Sequence, residues 1–292
     1  MKTKYALFIL LAILGFLLQD KCLSQVPYVP TPESIVNEML TVAKVTASDV
    51  VYDLGCGDGR IVVMAAKKYG ARGVGIDNNP ARIRDSWVNA KRNGLTYQVN
   101  FIEQDLFETN LRDATVVTLY LLTNVNLKLR PKLFKELKPG TRVVSNSFSM
   151  DNWEPDSLID IEGRNLYYWK IPANASGIWD VEAVGSEGNN KYTLYLEQVF
   201  QKLEGSLEVG GQKYYLMPSK VDGDRLTFRV NKKSKDEKEI MVFTLNIKDD
   251  QMKGTVSTDQ NNESMNFTAK RREGTMKPLD PKLAVYENKF KN

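Results

Sequence analysis

The sequence predicts an α/β protein in two parts. Residues 26–156 read as a parallel sheet with helices on both faces, and residues 157–273 as an antiparallel β region, either a curled sheet or a small barrel. Three observations predict this. Short apolar runs alternate with stretches of helical spacing as far as about Pro155. A glycine-rich string, Asp53-Leu54-Gly55-Cys56-Gly57-Asp58-Gly59, joins the first apolar run to the first of the helical stretches that follow it. Past Asp156 the helical period fades, and alternating runs recur about every 10 residues between turn residues such as Gly210-Gly211 and Asp222-Gly223.

The elements follow in order. Lys2 and Lys4 precede an apolar run of about 14 residues, Tyr5 to Leu18, which suits a signal h-region and falls short of the roughly 20 residues a bilayer core demands. Residues 1–25 are expected to be a signal peptide cut near Ser24 or Gln25, making the protein periplasmic or secreted; left uncut, the segment would hold it to a membrane. Thr31-Pro32-Glu33 opens a helix, with Thr31 as its cap and Ile35, Met39 and Leu40 toward the sheet. Strands are predicted at Val50–Leu54, Gly73–Asp77, Val99–Ile102, Ala114–Leu122 and Thr141–Asn146, with helices at Ile61–Tyr69, Pro80–Asn93 and Lys128–Leu137 between them. Six further runs, from Lys191–Phe200 to Ser264–Lys270, supply the second region, and residues 274–292 read as a polar, loosely held tail.

Composition excludes several chemistries. The 292 residues contain no histidine, which removes His-based general bases, Ser-His or Cys-His pairs and His-liganded metals. Two cysteines cannot build the usual four-ligand zinc site, so no metal is expected. A net charge of +4 gives no electrostatic footprint for nucleic acid.

The Asp53 string carries the chemistry. Glycines let the backbone press against a ligand and adopt positive φ, and the helix that follows turns its N-terminus toward the same spot. A pyrophosphate would be repelled by Asp53 and Asp58, whereas a ligand with ammonium and sulfonium centres suits them, which favours S-adenosylmethionine over a nicotinamide cofactor. Asp77, about 20 residues further on at the end of the second strand, can accept from both ribose hydroxyls; the competing assignment is a cap for the helix after Asn78-Asn79-Pro80. Asp105, past the third strand, can accept from an adenine amino group with Leu106 or Phe107 against the ring, or it is an ordinary loop acid. The candidate cofactor residues are therefore Asp53, Gly55, Cys56, Gly57, Gly59, Asp77, Asn78, Asp105 and Leu106. Trp153, Trp169 and Trp179 gather near the boundary of the two regions and read as aromatic core.

Taken with Val26-Pro27-Tyr28-Val29-Pro30-Thr31-Pro32, Leu119-Tyr120-Leu121-Leu122 and Pro139-Gly140-Thr141, these motifs resemble one family over about 130 residues, Val26 to Pro155. It is the class I methyltransferase family that includes the mitochondrial lysine methyltransferases acting on the ATP synthase c subunit and the adenine nucleotide translocase. The resemblance implies a Rossmann-like methyltransferase sheet, S-adenosylmethionine as cofactor, and methyl transfer to an amine on a protein or small molecule, a lysine side chain among them. It places Tyr120 and Thr123 on the acceptor side, and Tyr28 and Thr31 at the mouth of the site. Two departures fall on the acceptor side: Thr123-Asn124 stands where relatives usually carry proline, and Asn146 where they often carry histidine. The catalytic residue stays unassigned. Export would separate the protein from the cytoplasm where the cofactor is made, and the alternative is an exported binding protein that has kept the fold without the catalysis and binds its partner through the β region.

Overall fold

Four helices and sixteen strands make up the described part of the chain, residues 28–185, 188–233, 238–258 and 264–281 of a computed structural model. The expected signal peptide and the last eleven residues of the expected tail, 282–292, lie outside it. Tyr28 to Pro30 belong to a separate N-terminal unit, and the described residues from Thr31 onward form one compact unit.

Strands β1 (Val50–Leu54), β2 (Arg72–Asp77), β3 (Val99–Glu103), β4 (Val116–Leu119) and β5 (Arg142–Asn146) pair in parallel. β6 (Ser157–Ile161) and β7 (Arg164–Lys170) complete a seven-stranded sheet of order β3-β2-β1-β4-β5-β7-β6, with β7 antiparallel to both neighbours. β1 and β4 are near-continuous apolar runs because strands covered on both faces have no solvent side. Helices α1 (Glu33–Val42), α2 (Arg60–Tyr69) and α3 (Pro80–Arg92) share one core with Val51, Val116, Val144 and Leu166. α4 (Thr123–Glu136) covers the opposite face, where Asn126 meets Ser145, the neighbour of Val144 in β5.

Three expectations are corrected here. Residues 157–170 belong to the first sheet, not to the second region: β7 pairs with β5 from Arg142↔Lys170 to Asn146↔Leu166. Thr31 does not cap α1; Pro32 occupies the N-cap with no side-chain bond, and the Thr31 carbonyl instead accepts from Arg60 Nη1 at 2.7 Å. α4 begins at Thr123, five residues before the predicted start, and runs through Pro131. Proline favours a first turn, which draws a sequence-based boundary toward it. The buried Asn126 amide, bonded to Ser145 Oγ and to the carbonyls of Phe148 and Ser149, anchors the turn that was missed.

The second region closes. β8 (Gly177–Gly185), β9 (Gly188–Val199), β10 (Lys202–Val209), β12 (Ser219–Asp222), β13 (Arg225–Lys233), β14 (Lys238–Lys248), β15 (Gln251–Thr258) and β16 (Ser264–Arg271) form an eight-stranded antiparallel barrel in which β16 returns to β8; β11 (Gln212–Tyr215) hangs from β10 as a hairpin. Closure removes the open edges that a curled sheet would leave. The interior is side chain, not channel: Phe228 stacks on Phe243 at 4.5 Å between ring centroids, and Phe243 meets Phe267 edge-on at 5.3 Å.

The barrel is fixed to the first sheet by aromatic core, as the tryptophans predict. Trp153 lies 4.5 Å from Phe134 of α4 and 5.9 Å from Phe200, at the β9–β10 turn, between ring centroids. Their polar edges are satisfied, Trp153 Nε1 donating to Gln201 Oε1 and Trp169 Nε1 to the Trp153 carbonyl, each at 3.0 Å. Trp179 belongs to the barrel core itself, with the Arg271 guanidinium 4.3 Å from its ring centre. The tail is not loose over its described part: Leu279 and Asp280 are buried, and the Leu279 carbonyl accepts from Phe200 N–H at 2.9 Å.

Candidate active site

Strand order reverses around β1, which has β2 on one side and β4 on the other. At such a switch point the loops leaving the carboxyl ends part and open a crevice. The predicted residues converge there. Asp53 stands near the end of β1 and Gly55 just past it, Asp77 ends β2 with Asn78 next, Asp105 and Leu106 follow β3, and Tyr120 and Thr123 follow β4.

The glycine turn is held by many small bonds. Gly55 and Cys56 N–H both donate to the Ile76 carbonyl, at 2.8 and 2.9 Å, and Gly59 N–H donates to the Cys56 carbonyl at 2.9 Å. Gly57 and Gly59 have φ of +56° and +73°, which L side chains rarely adopt, and a Cβ on Gly59 would stand 2.5 Å from the Phe101 ring. Two groups of α3, absent from the sequence-based candidates, clamp the turn from behind: Ser86 Oγ donates to the Gly57 carbonyl at 2.8 Å and Asn89 Nδ2 to the Asp58 carbonyl at 3.1 Å. Their signal is a serine and an asparagine three residues apart on the inner side of an amphipathic helix.

Each carboxylate has a distinct station. Asp77 Oδ2 accepts from Gly57 N–H at 3.0 Å and Oδ1 from Asn79 N–H at 2.9 Å. It therefore ties β2 to the turn, and the helix cap is Asn79, whose side chain accepts from Ala81 N–H. Asp58 is bound by Arg60 through Nε at 2.9 Å and Nη2 at 2.6 Å, so its charge is shared with that guanidinium. Asp53 is buried, and Thr118 Oγ1 donates to it at 2.7 Å. Burial pushes its carboxyl up to about 7, against the pull of the Thr118 hydroxyl and with a further push from Asp77 and Asp58.

Other candidates are placed differently. The Cys56 side chain packs into the core beside Ser86, its thiol pushed up by burial, so Cys56 serves the turn through its backbone and not a ligand through sulfur. Asp105 is exposed and accepts from Phe107 N–H at 2.9 Å within its own loop; Leu106 is half-buried beside it, and Asn78 is exposed. On the acceptor side Tyr120 OH accepts from Arg164 of β7 at 3.2 Å, and its ring lies 6.1 Å from that of Phe148. Thr123 is the first residue of α4 and half-buried. Tyr28, in the separate N-terminal unit, is exposed.

These residues fit S-adenosylmethionine. Left-handed glycines keep Cβ atoms away from the crevice, and the acids that remain unpaired by cations suit a cationic nucleoside where a dinucleotide would require donors for phosphate. Site and strand order together define the class as S-adenosylmethionine-dependent class I methyltransferases. The comparisons with known proteins narrow it. The family profile described as ANTKMT methyltransferase domain matches residues 53–157. A protein-lysine N-methyltransferase of Saccharolobus islandicus (strain REY15A) is 51% identical over 142 residues, covering 48% of this chain and 88% of the relative. The adenine nucleotide translocase lysine N-methyltransferase of Mus musculus is 35% identical, covering 52% of this chain and 66% of the relative. For the ATP synthase c-subunit lysine N-methyltransferase of Homo sapiens the figures are 32%, 45% and 56%, so the chain spans little more than half of that protein. Among solved structures, an RNA methyltransferase from Salinibacter ruber in complex with S-adenosyl-L-homocysteine shares 53% identity over 49% of this chain and 93% of its own, with a TM-score of 0.48. The chain belongs to the family of S-adenosylmethionine-dependent protein-lysine methyltransferases.

The raised Asp53 carboxyl gives a first prediction. Ligand-free protein holds the Asp53 proton up to about pH 7, whereas a cationic ligand prefers the carboxylate. Binding therefore releases that proton, and the dissociation constant for S-adenosylmethionine should rise as pH falls through 7, approaching tenfold per unit well below it. Calorimetry between pH 5.5 and 8.5 measures this, and Asp53→Asn should flatten the dependence. A wild-type curve already flat across that range would remove Asp53 from the binding step.

Proposed function

We propose that this protein transfers a methyl group from S-adenosylmethionine to the side-chain amine of a lysine in a protein acceptor, and that it does so outside the cytoplasm or from a membrane anchor. The observation that carries the acceptor is 51% identity to a protein-lysine N-methyltransferase over 88% of that relative. The basic and apolar start of the chain supports the location.

When bound, the cofactor supplies an electrophilic methyl group on a sulfonium, so that an amine lone pair forms the N–C bond as the C–S bond breaks and the electron pair stays on sulfur. The protein's part is to hold and to dry. Gly55 to Gly59 and Asp77 hold the donor, and Tyr120 and Thr123 flank the approach from β4. The reaction needs a neutral amine, which an apolar, water-poor approach favours by lowering its pKa. The chain has no histidine to serve as base, and direct displacement leaves the released proton to water.

Incubation of the purified chain with tritiated S-adenosylmethionine and a protein extract, followed by acid hydrolysis, tests the acceptor. Label is expected in methylated lysine. Tight calorimetric binding of the cofactor with label in no fraction would instead mean a binding protein on a methyltransferase fold. N-terminal sequencing of the protein recovered from cells tests the location, with a start at residue 25 or 26 expected on cleavage near Ser24 or Gln25.

A further inference from the structure

β5 ends in a strained turn that the cofactor site does not use. Ser147 has φ +65° although it is not glycine, and Phe148 N–H folds back on the Asn146 carbonyl at 2.9 Å. The Asn146 side chain is fully buried. Its Oδ1 accepts from Ser147 Oγ at 2.8 Å, and its Nδ2 meets no acceptor. The two ends of an amide are assigned from such bonds, and a hydroxyl donates or accepts equally well, so Ser147 can hold either end of the amide. A buried polar atom without a partner is costly to keep and calls for an explanation.

Register shows where the amide stands. Asp53, Thr118 and Val144 pair across β1, β4 and β5 and share a face of the sheet. Asn146, two residues past Val144 at the carboxyl end of β5, is on that same face, and Gly55 and Tyr120 stand just past the carboxyl ends of β1 and β4. Asn146 thus stands at the same end of the sheet as the glycine turn, with β4, which Tyr120 follows, as the one strand between β5 and β1.

We propose that Asn146 is the positioning residue for the amine acceptor: its side-chain carbonyl takes an N–H of the incoming amine while Ser147 holds the other end of the amide. An amine attacks only when its lone pair points at the methyl carbon, and fixing one of its N–H bonds fixes that direction. A neutral amide does this without the cost of a carboxylate, which would favour the unreactive ammonium. The inference rests on the methyltransferase reading, and the test separates the two.

The full chain, labelled with 15N-asparagine and saturated with S-adenosylhomocysteine, is titrated with a synthetic peptide containing one internal lysine. The Asn146 side-chain signal, assigned by its loss in Asn146→Ala, should shift with this peptide and not with the same peptide carrying norleucine. In turnover with the lysine peptide, Asn146→Ala should lower kcat about 10- to 100-fold while the dissociation constant for S-adenosylmethionine stays within about threefold. Asn146→Asp should retain transfer with its kcat/KM profile moved to higher pH, a change that a purely structural side chain would not cause. Wild-type transfer with an unmoved amide, or with Asn146→Ala matching wild type, overturns the proposal and leaves the function standing. Parallel loss of cofactor binding in both variants also overturns it, by making Asn146 structural. A lysine-specific shift of the amide without turnover keeps Asn146 as the amine contact and overturns the methyltransferase activity.

Discussion

Asp280→Ala should lower the unfolding free energy by about 3–5 kcal/mol, although the residue lies 150 positions from its partner in sequence. Arg130 of α4 is almost fully buried, as is Asp280, and its Nε donates to Asp280 Oδ2 at 2.7 Å. The guanidinium also donates from Nη1 to the Met150 carbonyl at 2.8 Å and to Asn152 Oδ1 at 2.9 Å, and it sits 5.1 Å from the centre of the Phe200 ring. Carbonyls and a ring face stabilise a cation but do not neutralise it, so removing the carboxylate leaves a charge in a medium that solvates it poorly. Because one cation joins α4, the loop after β5 and the segment after the barrel, the loss is felt in both sheets. Urea unfolding measures it. The double variant Arg130→Met with Asp280→Leu, which removes both charges and keeps volume, should recover most of the loss. A single variant within about 1 kcal/mol of wild type would mean that the pair contributes no more than an exposed one does.

That ion pair also shows where sequence stops being informative. The glycine turn and Asp77 were legible because their signal is local: a strand, a turn and a helix follow in order, and the second carboxylate falls at the end of the next strand. β1 was read with its observed bounds because a five-residue apolar run ending at a glycine admits one strand. Residues 157–170, which form β6 and β7, were placed in the second region for the opposite reason. Both are short strands with partly exposed side chains, the same period as a barrel strand, and only the tertiary pairing Val144↔Tyr168 decides which sheet takes them. Closure of the barrel depends likewise on β16 meeting β8, as in Phe267↔Ala183, a contact no local pattern encodes. The charge of the crevice was half legible. Counting Asp58 with Asp53 overlooked Arg60, two residues away, which binds Asp58 with both nitrogens of one edge. The tail read as loose because it is polar in composition, yet Leu279 and Asp280 suffice to dock it.

Gly57→Val should abolish measurable S-adenosylmethionine binding while the protein still folds. Gly57 sits at φ +56° in the middle of the turn, with its N–H on Asp77 and its carbonyl held by Ser86. A β-branched residue there is a backbone outlier that costs on the order of 1–2 kcal/mol by itself, and its methyl groups extend from the turn that must lie bare against the ligand. Asp77→Ala should be graded where Gly57→Val is absolute. Losing the carboxylate removes acceptors for the ribose and also releases Gly57 N–H, so the dissociation constant should rise by about 5- to 150-fold, equivalent to roughly 1–3 kcal/mol. Asp77→Asn separates the two effects. Its side-chain oxygen still accepts from Gly57, so the turn keeps its shape, and what is lost is charge and one acceptor; its affinity should fall between wild type and Asp77→Ala. Calorimetry on the three variants, with circular dichroism to establish that each is folded, measures the series. Folded Gly57→Val with wild-type affinity would place the donor elsewhere. Asp77→Asn as weak as Asp77→Ala would show that the ligand, and not the turn, depends on the carboxylate.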